Sequence, residues 1–129
     1  MSPATIFGKK GPRKVTPESA WRKACVDWLK IRFSGRIWHI RTVGGIGQRS
    51  GIPDDFFVIK DGKDGPGIFV AIEFKAPTGR YKLTEKQAAE IESIKRAGGR
   101  AGEVKSWEDL EQLVAGIEPV QLGMAFKNS

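Results

Sequence analysis

The sequence predicts an α/β domain, a small mixed β-sheet flanked by helices in the order α-β-β-β-α-β-α. Three observations carry that expectation. The spacing of apolar residues switches between a helical period near 3.6 and a strand period of 2 along the chain. A capping residue precedes each helical stretch: Thr16 before Pro17, Thr84 with Gln87, and Ser106 with Asp109. Glycine-rich segments divide the middle of the chain into three consecutive strand-like runs.

Residues 1–15 hold Pro3, Gly8, Gly11 and Pro12 among Lys9, Lys10, Arg13 and Lys14, and read as a flexible basic arm. The folded domain is expected over 16–115, with a C-terminal tail at 116–129. Thr16 is a good N-cap and Pro17 suits the first helical position, so a helix should run to about Phe33. Its apolar stripe is Trp21, Cys25 and Trp28, widened by Ala24 and Leu29, and Ser34-Gly35 stops it. "RIWHIRTV" (36–43) reads as a strand, "GGIGQRSGIP" (44–53) as a loop, and 54–60 as a second strand in which Phe56 to Ile59 look buried on both faces. After the turn "DGKDGPG", the run "IFVAIEFK" (68–75) should pair with the second strand as a hairpin. A helix from Thr84 should end at Gly98-Gly99, followed by a short strand (100–106) and a last helix to about Ala115.

Bulk properties narrow the function. A chain of 129 residues with 40% apolar and 29% charged residues suits one soluble globular domain. No apolar run approaches the roughly 20 residues that span a bilayer, and the N-terminal segment lacks a signal-like apolar stretch, so a soluble cytoplasmic protein without membrane contact is expected. The single cysteine, Cys25, excludes an intramolecular disulfide and a cysteine-rich zinc site. Net charge is +7 and uneven: residues 1–50 hold eleven Lys/Arg against two acids, whereas residues 51–129 hold eleven against thirteen. A basic half of this kind points to a polyanionic partner, with nucleic acid first.

The chemistry concentrates around the hairpin. Along the third strand Ile68, Val70, Ile72 and Phe74 share one face, and Phe69, Ala71, Glu73 and Lys75 the other. The hairpin brings the start of the second strand, with Asp54, to the end of the third, with Glu73 and Lys75. Two carboxylates offer hard oxygen ligands to Mg²⁺ or Mn²⁺. The lysine can orient a water or offset phosphate charge. Glu18 falls on the helical stripe of Trp21, Cys25 and Trp28 and turns toward the sheet, although an acid in a first turn also favours the helix dipole. Gln87 shares a stripe with Ile91 and Ile94, and it also has capping-box spacing to Thr84.

With "GIPD" (51–54), "EFK" (73–75), "LTEKQ" (83–87), "AGG" (97–99) and "SWEDL" (106–110), the chain resembles the VRR-Nuc family, a branch of the PD-(D/E)xK nucleases, over roughly residues 16–115. The resemblance implies a restriction-endonuclease-like core and a divalent-metal-dependent nuclease. In it Asp54 and Glu73 are metal ligands, Lys75 the catalytic lysine, Gln87 an active-site residue and Glu18 the first-helix acid that completes the metal site. The sequence departs from the family at Asp55, where an apolar residue is usual. Family members carrying only this domain resemble resolvases of branched DNA, so a structure-selective endodeoxyribonuclease acting on four-way (Holliday) junctions is expected. A flap- or nick-directed nuclease is the alternative, and a non-catalytic nucleic-acid-binding module the second. Cutting two strands of a junction calls for a homodimer, to which the apolar run "PVQLGMAF" (119–126) could contribute.

Other features carry less. Gly45-x-Gly47 follows a strand but precedes no helix, so the dinucleotide fingerprint fails its context. The loop instead suggests DNA contact, with Arg41 and Arg49 on phosphates alongside Lys9, Lys10, Arg13 and Lys14. Arg80 and Lys82, flanking Tyr81 just past the E-x-K strand, could touch the substrate backbone. His39 reads as a packed or capped histidine or as a catalytic one, Cys25 as core, and Trp21, Trp28 and Trp107 as core anchors.

Overall fold

The computed structural model describes residues 15–42, 49–80 and 82–121. The elements are α1 (Pro17–Arg32), β1 (Ile37–Arg41), β2 (Asp55–Lys60), β3 (Gly67–Phe74), α2 (Glu85–Arg96), β4 (Arg100–Val104) and α3 (Trp107–Leu113), in the expected order. The strands form one mixed sheet, β1-β2-β3-β4. Neighbours β1, β2 and β3 are antiparallel, and β4 joins β3 in parallel after the crossover through α2. The E-x-K strand is therefore central, as its apolar character required.

Local chemistry sets the helix ends. The Thr16 hydroxyl accepts the Ser19 amide while the Ser19 side chain reciprocates, and Pro17 opens α1. Thr84 and Gln87 form the same reciprocal box at α2, and the Ser106 hydroxyl accepts the Asp109 amide at α3.

The period of two in β3 divides the core into two layers. Val70, Ile72 and Phe74 join Phe57 and Ile59 beneath α1 and α3, against Trp21, Cys25, Val26, Leu29, Phe33 and Leu110. On the opposite face, Ala71 and Ala101 meet Ile91, with Phe56, Phe69, Leu83 and Ile94 packed around them. Burial pushes the Cys25 thiol up to about 12, which makes it an inert core group. Trp21 donates from its indole nitrogen to the Val104 carbonyl at 3.0 Å, tying α1 to β4.

Several expectations need correction. Val58 is 38% exposed rather than buried, beside Trp38 and Ile40 on the same face. Helix α2 covers β3 and β4 on that side and leaves β1 and the far end of β2 uncovered. Ala24 lies outside the packed stripe of α1, and Val26 takes its place. Trp107 stands edge-on to Trp21 at 5.0 Å yet remains 43% exposed. Packing also continues past residue 115: Ile117 is buried in the main core, and the Val120 amide donates to the Arg32 carbonyl at 2.8 Å. The start of the apolar run 119–126 thus packs on its own chain, and residues 122–129 lie outside the described residues.

Candidate active site

The β2–β3 ladder ends at the pair Asp55–Ile72. Pro53, buried and without an amide hydrogen, cannot extend it. The Phe74 amide, beyond the last ladder pair, donates instead to Asp54 Oδ2 at 2.8 Å. A side-chain carboxylate thereby fills the place of the next strand carbonyl, and Asp54 is fixed at the fork where the two strands part. Its backbone is held from the other side. The Asp54 carbonyl accepts from the Thr42 amide at 2.8 Å and from the Thr42 hydroxyl at 2.9 Å, just past the end of β1.

The loop leading into Asp54 is packed on α2. Gly51 has φ +91°, and a Cβ there would lie 2.7 Å from the Lys86 carbonyl carbon and oxygen. Only glycine satisfies both the left-handed backbone and this approach. The "GIPD" stretch is therefore a backbone-to-backbone contact followed by the carboxylate that leads into β2.

Glu73, the penultimate residue of β3, is only 4% exposed. Burial, and the Asp54 carboxylate within hydrogen-bonding reach, push it from the ordinary 4.5 up to about 8; Glu18 pushes the same way and Lys75 opposes. Lys75 Nζ lies 3.7 Å from Glu73 Oε2. Lys75 and Glu18 both line an open cleft of about 680 Å³ with Thr16, Pro17, Ala76, Thr78 and Gly79, between the start of α1 and the segment after β3. The structure thus brings Asp54, Glu73, Lys75 and Glu18 to one end of the sheet.

This donor set fits a hard divalent cation. Two neighbouring carboxylates, one of them buried, repel one another as anions, and a dication would offset that repulsion. Among the described residues no three His, Cys, Asp or Glu side chains are grouped closely enough to form a complete metal site. Asp54 and Glu73 are the two side chains placed where they could hold such an ion together.

The VRR-NUC domain model matches residues 17–108, most of the chain. The chain belongs to the VRR-NUC domain family. The fold is accordingly the restriction-endonuclease-like α/β fold of the PD-(D/E)xK nucleases, enzymes that hydrolyse DNA and generally use divalent metal ions. Comparison with curated proteins and with solved structures returned no significant match.

The remaining candidate residues have partners or positions of their own. The Gln87 side-chain oxygen accepts the Thr84 amide at 2.9 Å, so it is committed to capping α2, and its NH₂ is the group that remains for a site role. Arg49 makes a two-pronged ion pair with Glu90 on α2, which engages the guanidinium expected on a phosphate. Arg41, Arg80 and Lys82 are exposed. Lys9, Lys10, Arg13 and Lys14 lie outside the described residues, as does Tyr81. No helix among the described residues is long and apolar enough to cross a membrane.

Sequence reasoning did not find the partners of Asp55. Asp55 points to the α1 face, fully buried, and is gripped by Arg22 and His39. The available signal was the strand period. Asp55, Phe57 and Ile59 share one face, so an acid at the first of these positions required a cation from the overlying helix. Thr42 was also missed, because nothing in its surroundings marks it before the loop closes.

Proposed function

We propose that the protein is a divalent-metal-dependent, structure-selective endodeoxyribonuclease whose first substrate is a four-way DNA junction. The observation that carries the reading is the meeting of Asp54, Glu73 and Lys75 at the fork of β2 and β3, beside a cleft that Glu18 also lines. Asp54 and Glu73 would hold Mg²⁺ or Mn²⁺, with Glu18 reaching it through water. The bound ion would supply Lewis acidity and a nucleophilic hydroxide at neutral pH.

The chain's own groups do the rest. The Phe74 amide and Thr42 hold Asp54 in position from opposite sides. Lys75 Nζ, half-freed from Glu73 at 3.7 Å, can donate to a phosphate oxygen or hold the attacking water in line with the scissile bond. The NH₂ of Gln87, the half of the amide not used by the Thr84 cap, can donate to the same water or to the phosphate. The basic N-terminal arm, with Arg41, Arg80 and Lys82, would supply affinity for the backbone. Arg49 can join them only by giving up Glu90, an exposed pair worth little in free energy.

Retention of all three of Asp54, Glu73 and Lys75 argues against a binding module that has lost its chemistry. A junction presents two scissile strands, and two identical subunits related by a two-fold axis would give one site to each, so we infer a homodimer. The test is a cleavage panel of four-way, flap, nicked and linear DNAs with Mg²⁺ or Mn²⁺, with and without EDTA. It is read beside light scattering of the protein alone and on junction DNA. Metal-dependent cutting of the junction by a dimer is expected. A 14.2 kDa monomer that cuts flaps or nicks in preference would replace the resolvase reading.

A further inference from the structure

Asp55 occupies the first position of β2 on the α1 face, where Phe57 and Ile59 supply apolar core two and four residues on. It is 0% exposed. A carboxylate in such a place is costly unless its oxygens are paired. Here the pairing is complete. Arg22 donates from Nε to Oδ1 at 2.8 Å and from Nη2 to Oδ2 at 2.5 Å, a planar fork from α1. His39 donates from Nε2 to Oδ2 at 2.5 Å, and its ring stacks on Phe57 with centroids 4.6 Å apart.

A buried ion pair is an inefficient source of stability, because apolar residues of similar volume often do as well or better. A two-pronged fork does something apolar packing does less well: it fixes direction. Its location gives that a use. Asp55 follows Asp54 directly in the chain, and Arg22 lies one helical turn beyond Glu18 on α1. Next to Arg22, Trp21 ties the same turn of α1 to the Val104 carbonyl of β4. The two ties, to β2 and to β4, set the rotation of α1 over the sheet. A helix side chain ends roughly 5–6 Å from the helix axis, so a rotation of about 20° would shift the Glu18 carboxylate by about 2 Å.

We propose that Asp55, with Arg22 and His39, is a positioning element that holds Glu18 and Asp54 in register with Glu73 for metal binding. The inference rests on the reading of these acids as the metal-holding residues. The strut touches neither metal nor substrate, and it acts by aligning the elements that do.

The test is direct Mn²⁺ binding by titration calorimetry on the full chain without DNA, with urea unfolding in EDTA alongside. The variant Arg22→Met/Asp55→Leu removes both charges and keeps the volume apolar. It is expected to unfold at or above the wild-type urea midpoint and yet bind Mn²⁺ about 10- to 100-fold more weakly, the cost seen when outer partners of metal ligands are lost. Arg22→Lys keeps the charge but loses the fork, and is expected to weaken Mn²⁺ binding in the same direction; it decides the matter should the double variant not fold. Mn²⁺ affinity within two-fold of wild type in either folded variant would overturn the proposal and leave Asp55 a packing feature. Asp54→Asn and Glu73→Gln serve as controls. Wild-type Mn²⁺ binding that survives both would overturn the metal site itself, a failure distinct from loss in the controls with no loss in the strut variants.

Discussion

Replacing Glu73 by glutamine should stabilise the metal-free protein. Glu73 ionises near 4.5 in the unfolded chain, but burial and the Asp54 carboxylate raise it to about 8 in the fold. The native state therefore binds a proton that the unfolded state has released over most of that interval. The group's contribution to stability is complete below pH 4.5 and is lost as pH rises through 8. At pH 7 about 2.5 of those units have been crossed, which at 1.36 kcal/mol each is about 3 kcal/mol. Glutamine carries no charge, can donate from its NH₂ to Asp54, and forgoes only the 3.7 Å pairing with Lys75. In EDTA at pH 7, Glu73→Gln should gain up to about 3 kcal/mol, on the order of 10 °C in Tm for a domain of this size. Wild type should lose stability between pH 4.5 and 8 while the variant loses much less. Added Mn²⁺ should reverse the ranking, since binding to the native state stabilises only a protein that retains its ligands. Urea titrations at several pH values, with EDTA and with Mn²⁺, measure all of this. A variant no more stable than wild type at pH 7 in EDTA, or one with the same pH slope, would refute the crowded-carboxylate account.

Other consequences can be measured directly. Asp54→Ala and Lys75→Ala should each abolish cleavage while DNA affinity stays within a few-fold, since the basic residues rather than the site supply affinity; gel-shift and nicking assays on the same DNA separate the two effects. Mn²⁺ affinity should rise about tenfold per pH unit up to about 8 and then level, because Glu73 must give up its proton to the buffer, a release that calorimetry in buffers of different ionisation enthalpy detects. Gly51→Ala should cost activity and stability together, because the left-handed backbone and the 2.7 Å approach to Lys86 leave no room for a methyl; unchanged activity would show that the loop relaxes freely. DNA affinity should fall steeply with salt, by about 0.9 in log–log slope per phosphate neutralised, and deletion of residues 1–14 should flatten that slope.

The sequence by itself determined the order of the elements, the central place of the E-x-K strand and the convergence of Asp54, Glu73 and Lys75. These follow from local rules. Caps at Thr16, Thr84 and Ser106 start helices within one turn, a period of two assigns faces along β3, and a six-residue glycine-containing turn makes β2 and β3 neighbours. What only the tertiary structure decided were the identities of partners far apart in the chain. Asp55 lies 33 residues from Arg22 and 16 from His39, and neither spacing has a local signature. Whether Val58 is buried depended on where α2 comes to rest, over β3 and β4 rather than β1. The competition for Gln87 between cap and site was legible, but its outcome was set by a single hydrogen bond to Thr84. The perturbation of Glu73 belongs to the same class. The residue is an ordinary acid in sequence, and its shift exists only because folding places it without water beside a second carboxylate.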